Sequence, residues 1–520
     1  MQIFRKSIVK LFLAGNMSVA EHAVIGQRHG SERKIIMKDM KKIFAGVMAV
    51  SMVFGLTACG GDDAESAETT AAETAATTTT VTVEKNTETL NEEDQGAIGS
   101  ASDKLRDVEL ENKTVKWLAH YDPFNPSTSG NSESVPLTFF KTKYEGAVEW
   151  YQTTWETRYS DLSTYVLGGE GIDFFPCDTA ALPKGVISGM FQPVDEYIDM
   201  ESDLWKPMQS AMDIYNFGGK HYELVTGVSA EAVVIYNKKT IEENGLDDPY
   251  ELWKAGEWNW DTFKAQLLEF VDPDADCYGL DGFWAEKALF LSAGKPGVEA
   301  IDGHLVSNIN DATVETAMNY GYDLYTNGLF IDRSIFDWNE QPQFMGEGKE
   351  LYYIVGAWSV QAAPETWSTK IDPADLGLAP VPSPAGQPNY MGATLDGWCI
   401  CKGAQNPQGV ALLAECALLA GQDEEAIRIG DEKLLNDYKW SEELVAINKE
   451  INDACKENPV VDLATGVSTD VASLTTDGGD NIGLRAAYHG VEWATHREEI
   501  SGVIEQLVAE ADGQLQSMIG

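Results

Sequence analysis

Hydrophobic and polar positions follow two different periods between residues 104 and 520, which predicts a mixed α/β body. Thr114–Ala119 (TVKWLA) and Ala232–Tyr236 have the short apolar pattern of strands, and the second is a nearly continuous apolar run, as in a buried strand. Val135–Tyr144 and Glu499–Met518 have the apolar spacing of helices, with one face suited to docking. A strand, a loop and a helix in this order are typical of an α/β unit.

The stretch from 218 to 263 contains the densest succession of predicted elements. His221–Val225 is predicted as a strand, and Thr240–Asn244 is predicted as a short helix that Gly245 ends. Asp248-Pro249 then breaks the chain, and Asp261 is the predicted N-cap of a further helix. None of these residues forms a catalytic motif.

The N-terminal pattern predicts an export signal. Met37–Lys42 is a basic segment, and Ile43–Gly55 is an apolar run of about thirteen residues, too short to span a membrane as a helix. Leu56–Gly60 (LTACG) has the form of a lipobox, so residues 37–58 are predicted to be a lipoprotein signal peptide with lipid attached at Cys59. An ordinary secretory signal with an incidental cysteine is the alternative. Residues 1–36 fit no part of such a signal and are interpreted as an upstream mis-start.

Residues 59–103 differ in composition from the body that follows. They are rich in Thr, Ala and Glu, and no aromatic residue occurs among them. A segment of this kind buries too little apolar surface to offset the entropy of ordering it. We therefore expect a disordered tether between the lipid anchor and the folded body.

Composition and charge narrow the possible functions. The chain has 520 residues, 43% of them hydrophobic, and a formal net charge of −46, which argues against a nucleic acid partner. Apart from Cys59, six cysteines are scattered through the body, so no disulfide framework is predicted, and Cys399 and Cys401 are expected to be structural. Asp272–Asp276 alternates aspartates, but Cys277 and Phe283 stand where a calcium loop needs Gly and Glu. No metal and no cofactor are predicted.

Two candidate site residues follow from the first strand. Tyr121 and Asp122 come directly after it, and ligands of open α/β sheets lie beyond the carboxyl ends of strands. A turn or capping role is an equal alternative for Asp122.

Several segments, in their order, resemble one family. They are Gly219-Lys220-His221-Tyr222, Tyr236-Asn237-Lys238, Trp258-Asn259-Trp260-Asp261, and the segment from Phe344 to Trp358. Together they are similar to the bacterial extracellular solute-binding proteins of family 1, the maltose-binding-like substrate-binding lipoproteins of ABC transporters. The resemblance covers roughly residues 113–518.

The resemblance implies an α/β, two-lobed periplasmic-binding-protein-like fold of type II, with lobes joined by crossing hinge strands. Residues 104–230 and 394–460 would form lobe 1, and residues 231–393 and 461–520 would form lobe 2. The crossings are expected near residues 228–234 and 388–394. Closure about them would bury a solute between the lobes.

The resemblance also implies ligand-binding residues. Trp358 follows a strand and is expected to stack on a sugar ring, whose C–H face suits a flat aromatic surface. Asp178 would accept hydrogen bonds from sugar hydroxyls, although the proline that the family usually places before this aspartate is absent. The remaining expected contacts are Trp284, Asp396, Trp398, Arg485 and Tyr488.

The predicted function is capture of a mono- or oligosaccharide and its delivery to an ABC permease. The resemblance implies a monomer held on the outer face of the cytoplasmic membrane, as in Gram-positive bacteria. A surface glycan-binding or sensor lipoprotein without transport is one alternative. A secreted glycoside hydrolase is another, but acidic residues are too abundant for any pair to indicate one, and no G-x-S-x-G, H-E-x-x-H or Walker-type loop occurs. The chain is therefore not predicted to be an enzyme.

Overall fold

The structure is a computed structural model that describes residues 91–125, 133–360, 367–437, 439–476 and 481–520. All of these residues belong to one compact unit. The predicted mis-start, the signal peptide, Cys59 and most of the predicted tether lie outside the described residues.

The strands are short and in most cases apolar, in agreement with the sequence pattern. They are β1 (Thr114–Ala119), β2 (Ala147–Gln152), β3 (Phe174–Pro176), β4 (Asn216–Phe217), β5 (Lys220–His221), β6 (Leu224–Ala230), β7 (Val233–Asn237), β8 (Tyr278–Asp281), β9 (Val298–Ile301), β10 (His304–Ser307), β11 (Glu350–Val355), β12 (Leu376–Pro380), β13 (Met391–Ile400) and β14 (Pro459–Val460).

Seventeen helices connect and flank these strands in the described part of the chain. They are α1 (Glu92–Ala101), α2 (Val135–Tyr144), α3 (Arg158–Gly168), α4 (Lys184–Ile187), α5 (Gln209–Met212), α6 (Lys238–Glu243), α7 (Pro249–Ala255), α8 (Trp260–Phe270), α9 (Ala285–Leu291), α10 (Ala312–Thr326), α11 (Pro407–Ala420), α12 (Glu424–Asp437), α13 (Glu442–Glu457), α14 (Ala464–Val467), α15 (Thr469–Thr475), α16 (Ile482–Ala487) and α17 (Trp493–Ile519).

One sheet, which we call the first sheet, has the order β14-β13-β3-β1-β2, with β6 also paired to β13. β1 lies parallel to both β2 and β3, whereas β13 runs antiparallel to β3 and β6. The carboxyl ends of β1, β2 and β3 therefore meet at one edge. Loops that leave this edge can bring their side chains together.

The second sheet has the order β12-β7-β11-β8. β7 and β11 are buried at every position, which explains why residues 233–236 and 351–355 are continuous apolar runs rather than alternating ones. β8 and β11 are parallel, so the loops after Asp281 and Val355 leave from the same edge of this sheet. Those loops carry the aromatic residues of the second half of the candidate site.

The chain crosses between the two sheets at closely spaced points. β6 ends in the first sheet at Ala230, and β7 begins in the second at Val233. β12 ends in the second sheet, and β13 begins in the first at Met391. The Glu231 amide donates to the Gly392 carbonyl at 2.8 Å, so the two crossings are bonded to one another. The exact lobe boundaries stay a prediction.

The end of the predicted tether differs from the expectation, because residues 92–101 form helix α1. Asn91 caps its N-terminus by accepting a hydrogen bond from the Asp94 amide. Ile98 is buried, and Asp94 forms an ion pair with Arg428 of α12. Composition missed this helix because its stability comes from contacts with a distant part of the chain rather than from its own apolar content.

Other predicted boundaries agree in part with the observed ones, and the strand predicted at His221–Val225 is divided between β5 and β6. β1 and α2 have the predicted limits, and α17 begins six residues earlier than predicted. The predicted N-cap at Asp261 is wrong, since Asn259 caps α8 by accepting from the amides of Asp261 and Thr262. Both residues can cap a helix, and the choice depends on which one has extended backbone dihedrals.

The last helix, α17, reaches two separate parts of the body. Its apolar face, including Ile500, Ile504 and Val508, is buried. Near its C-terminus the Gln516 amide donates to the Gly303 carbonyl in the β9–β10 turn. Ile519 lies so close to Gly218 that a Cβ at that glycine would be 3.0 Å from it. The end of the chain is therefore packed against the turn between β4 and β5.

Candidate functional site

The carboxyl-end loops of the first sheet bring one group of polar and aromatic side chains together. Tyr121 follows β1, Trp155 follows β2, and Asp178 follows β3. The His120 ring meets both Tyr121 and Trp155 edge-on, with ring centroids 4.8 and 5.2 Å apart. Tyr121 and Trp155 keep 44% and 40% of their surface exposed, which leaves ring area free for a ligand.

Asp178 is held firmly by its neighbours. Its carboxylate accepts from Arg158 Nε at 2.7 Å, from the Ala180 amide at 3.0 Å and from the Tyr159 hydroxyl. The Arg158 guanidinium also lies over the Trp155 ring, 3.5 Å from its centroid. Arg158 thus fixes the predicted acceptor and supports an exposed aromatic ring at once.

Tyr121 and Asp122, the two residues predicted from the first strand, have different environments. Desolvation by the surrounding protein, followed by the charges of Asp396 and Asp178, raises the pKa of Tyr121 to about 12, so its hydroxyl remains a donor at neutral pH. The Asp122 carboxylate accepts from the Phe124 amide at 3.0 Å and from the Asn125 side chain at 2.8 Å. Asp122 therefore has the capping role that was its alternative interpretation.

The crossing strand β13 contributes Asp396 and Trp398. Asp396 is exposed, and its Oδ2 accepts from the Ser229 hydroxyl at 2.9 Å; desolvation by the surrounding protein raises the pKa of this carboxyl. Trp398 is half-buried and meets Trp117, Phe124 and Phe174 at ring centroid distances of 5.4 to 6.4 Å. Trp398 thus belongs partly to the core of the first sheet.

A buried glutamate lies beneath this crossing strand. Glu223 is 1% exposed, and a Cβ on Gly397 would lie 2.5 Å from its Oε1. Burial raises the pKa of Glu223 well above its usual range, and the charge of Asp396 raises it further. The strand that carries Asp396 therefore rests against a buried carboxyl group whose ionised form is disfavoured.

The second sheet supplies a separate aromatic cluster. Phe283 and Trp284 follow β8 with ring centroids 4.6 Å apart, and Trp358 follows β11 with its ring 6.5 Å from Phe283. Trp284 has a left-handed φ of 71°, which is uncommon for a bulky residue and indicates that the surrounding structure holds it in place. The Trp358 indole lies directly over Gly356, where a Cβ would be 2.1 Å from Nε1.

One cation connects this cluster with a crossing. Lys287 Nζ lies 5.8 Å from the Trp284 ring centroid and forms an ion pair with Glu231, between β6 and β7. The aromatic cluster of the second sheet is therefore coupled by charge to the segment that joins the sheets.

The structure does not bring Tyr488 to this cluster. Tyr488 is 7% exposed, its hydroxyl donates to Asp281 Oδ1 at 3.0 Å, and the Arg333 guanidinium lies 4.3 Å from its ring centroid. It belongs to a buried network at the end of β8. Arg485 is half-buried in α16, one turn before Tyr488.

Among the described residues, no group of three or more His, Cys, Asp or Glu side chains is arranged to hold a metal ion. Cys177, Cys399, Cys401, Cys416 and Cys455 are free and buried, and Cys277 is free and half-buried. Within the part of the chain that the structure describes, no helix is both long enough and apolar enough to cross a membrane.

The sequence pattern did not single out Trp155 or Arg158. Trp155 stands in the polar segment after β2, and Arg158 is the first residue of α3, where no apolar pattern marks either of them. The available signal was their position after β2, because its parallel pairing with β1 places them at the same sheet edge as Tyr121.

The model of the family described as bacterial extracellular solute-binding protein matches residues 129–424, more than half of the chain. The maltotriose-binding protein of Pyrococcus abyssi is 25% identical over 227 residues, which are 42% of this chain and 44% of that protein. The chain thus aligns with less than half of this curated relative.

Two solved structures resemble the fold over most of their length. A cyclo/maltodextrin-binding protein in complex with maltotetraose has a TM-score of 0.51 at 17% identity, over 79% of this chain and 98% of the other. The sugar-binding protein MalE of Xanthomonas citri has a TM-score of 0.55 at 14% identity, over 76% and 98%. At these identities the likeness concerns the fold, and it confirms the predicted α/β, two-lobed type II arrangement.

Proposed function

The chain belongs to the bacterial extracellular solute-binding protein family, and from this premise we propose that it captures a mono- or oligosaccharide between its two lobes. The observation that carries the proposal is the placement of aromatic rings at the carboxyl ends of strands in both sheets. Tyr121 and Trp155 lie at one edge, and Phe283, Trp284 and Trp358 lie at the other. Sugar rings offer apolar C–H faces to such surfaces and hydroxyls to nearby polar groups.

The polar groups of the first edge fit recognition of hydroxyls. Asp178 is anchored by Arg158, so its remaining acceptor capacity has a fixed direction. Tyr121 supplies a hydroxyl donor, and Asp396 supplies a carboxylate on the crossing strand itself. Stacking would hold the ring, and these three groups would select the hydroxyl pattern.

Hinge closure about the crossings would bring the two aromatic groups onto opposite faces of the solute. The crossing between β6 and β7 is short, and the hydrogen bond between Glu231 and Gly392 joins it to the start of β13, so a small change of backbone dihedrals there would move one sheet relative to the other. We propose that the closed monomer then delivers the sugar to an ABC permease, and that no covalent bond changes. Arg485 keeps its proposed role as a ligand contact, whereas Tyr488 would act through the buried network.

A glycoside hydrolase is the less favoured reading of the same site. Such an enzyme needs a carboxyl group free to donate a proton and a second one to attack or activate water. The Asp178 carboxylate is occupied by Arg158, Tyr159 and the Ala180 amide. A sensor that binds glycans without transport would use the same cleft and differs only in its partner.

Calorimetric titration of the purified protein with neutral and amino mono- and oligosaccharides tests the proposed capture, with amino acids, peptides and polyamines as controls. We expect at least one sugar to bind with micromolar affinity or better and to be recovered unchanged. Binding of a control solute and of no sugar would overturn the carbohydrate assignment. Release of shortened sugar products would favour the hydrolase.

We also propose that Cys59 carries the lipid that keeps the protein at the membrane. In the native host, replacement of Cys59 with serine is expected to move the protein from the membrane fraction to the medium, because a diacylglyceryl anchor supplies the two chains that stable attachment requires. Fractionation and labelling with radioactive palmitate measure this change. A Cys277→Ser variant is the matched control, and an unchanged membrane fraction for Cys59→Ser would contradict lipid anchoring.

A further inference from the structure

We infer that the preferred solute carries a protonated amine, as an amino sugar or an amino-substituted oligosaccharide does. This inference rests on the proposed capture of a sugar. Asp178 follows β3, and Asp396 lies on the neighbouring strand β13. The Cys177 amide donates to the Gly397 carbonyl at 3.0 Å, and Pro176 pairs with Trp398. Asp178 follows Cys177 and Asp396 precedes Gly397, so the two aspartates stand next to this hydrogen-bonded pair.

Only one of these two carboxylates is neutralised. Asp178 is paired with Arg158, whereas among the described residues Asp396 accepts one hydrogen bond, from the Ser229 hydroxyl, and forms no ion pair. Lys456 lies near enough to lower the pKa of Asp396, but its ion pair is with Asp453.

Other cations near the site are already engaged. Lys287, beside the Trp284 ring, is paired with Glu231. The segments 126–132, 361–366 and 477–480, which lie outside the described residues, contain no Lys, Arg or His. Within the described part of the chain, no cation is paired with Asp396, and a solute can supply that counter-charge.

The charge of Asp396 acts on the pKa values of groups on both sides of the strand. After desolvation, it is the next cause that raises the pKa of Tyr121, and likewise that of Cys455. A neutral hydroxyl would leave this charge uncompensated, whereas an ammonium group would neutralise it. The exposed rings of Tyr121 and Trp155 add to the preference, because aromatic faces also attract cations.

Matched sugars that differ only in their amines test the inference. The probes are cellotriose, fully deacetylated chitotriose and tri-N-acetylchitotriose, together with glucose against glucosamine and galactose against galactosamine, titrated by calorimetry at neutral pH. We expect the amine form of at least one set to bind about tenfold or more tightly than its neutral counterparts, because a hydrogen bond between two charged groups is stronger than a neutral one. Added salt should weaken only the amine form.

Substitution of Asp396 connects the preference to this residue. In Asp396→Asn the ratio between amine and neutral affinities is expected to fall to about one, since the charge is lost while the shape is kept. Asp396→Glu should keep the preference, and the exposed control Asp470→Asn, which leaves the Lys456–Asp453 pair intact, should leave the ratio unchanged. Thermal melts show whether each variant is folded, and the charge-conserving variant keeps the test valid if Asp396→Asn is not.

The outcomes separate this inference from the proposed function. If neutral sugars bound as tightly as their amine forms, or if the preference survived in Asp396→Asn, the inferred amine preference would be wrong. The proposal of carbohydrate capture would still stand. If spermidine bound and no sugar did, both the proposed carbohydrate capture and the inferred amine preference would be wrong. The same conclusion would follow if no probe bound at all.

Discussion

Replacement of Trp358 with alanine is expected to weaken sugar binding about 30-fold or more, which corresponds to a central aromatic anchor worth about 2 kcal/mol. Trp358 follows a strand that is buried at every position, so its backbone is fixed. Its indole rests on Gly356 and approaches the edge of Phe283. A flat ring held in this way loses little entropy when a sugar stacks on it.

Calorimetric titration with the tightest-binding sugar measures the effect. Trp253→Ala is the matched control, because it also removes a half-buried indole, from helix α7 and away from the strand ends. The control should bind within about twofold of the parent. If Trp358→Ala bound normally while remaining folded, Trp358 would be a packing residue, and the stacking surface would have to be sought at Trp155 or Trp284.

Replacement of Asp281 with alanine is expected to lower the free energy of unfolding by about 3–5 kcal/mol, the range for breaking a buried ion pair by removing one partner. Asp281 is fully buried and accepts from Arg333 Nε at 2.8 Å and Nη2 at 2.6 Å. It also accepts from the Tyr488 hydroxyl and the Gln341 amide. Its loss would leave the 6%-exposed Arg333 without its closest counter-charge.

Urea unfolding measures this loss, with the exposed Asp470→Ala as control. The double variant Asp281→Leu/Arg333→Leu should lose less than the sum of the two single changes, because neither buried charge then remains. An equal loss for Asp281→Ala and the control would show that the network contributes no stability. Tyr488→Phe removes only a hydroxyl, and normal sugar binding by that variant would support a structural role for Tyr488.

The fold could be predicted wherever a local pattern determined an element. β1 and α2 were predicted with their observed limits because the periodicity of a strand or a helix depends only on residues that are close in the sequence. Helix α1 was missed because the Asp94–Arg428 ion pair joins residues that are distant in the sequence. The cap of α8 was misplaced by two residues because Asn259 and Asp261 have equivalent chemistry and only the backbone distinguishes them.

The candidate site could be predicted in part for the same reason. Trp284 and Trp358 directly follow strands, and the structure places both in one aromatic cluster. Tyr488 resembles a site residue in sequence, but the partner that keeps it in the core, Asp281, is far away along the chain. Arg158 could not be ranked above other arginines without knowing that its guanidinium reaches both Asp178 and Trp155.

The packing of Ile519 against Gly218 makes the two chain termini unequal as attachment points. A fusion partner or affinity tag placed after Gly520 would begin one residue from the contact with the turn between β4 and β5, and four residues from the hydrogen bond of Gln516 to the β9–β10 turn. The signal of a reporter fused at this end would therefore combine any change in this contact with the effect of ligand binding. A fluorescent reporter or a surface linker is therefore better attached upstream of Asn91, where α1 begins, than at the end of the chain.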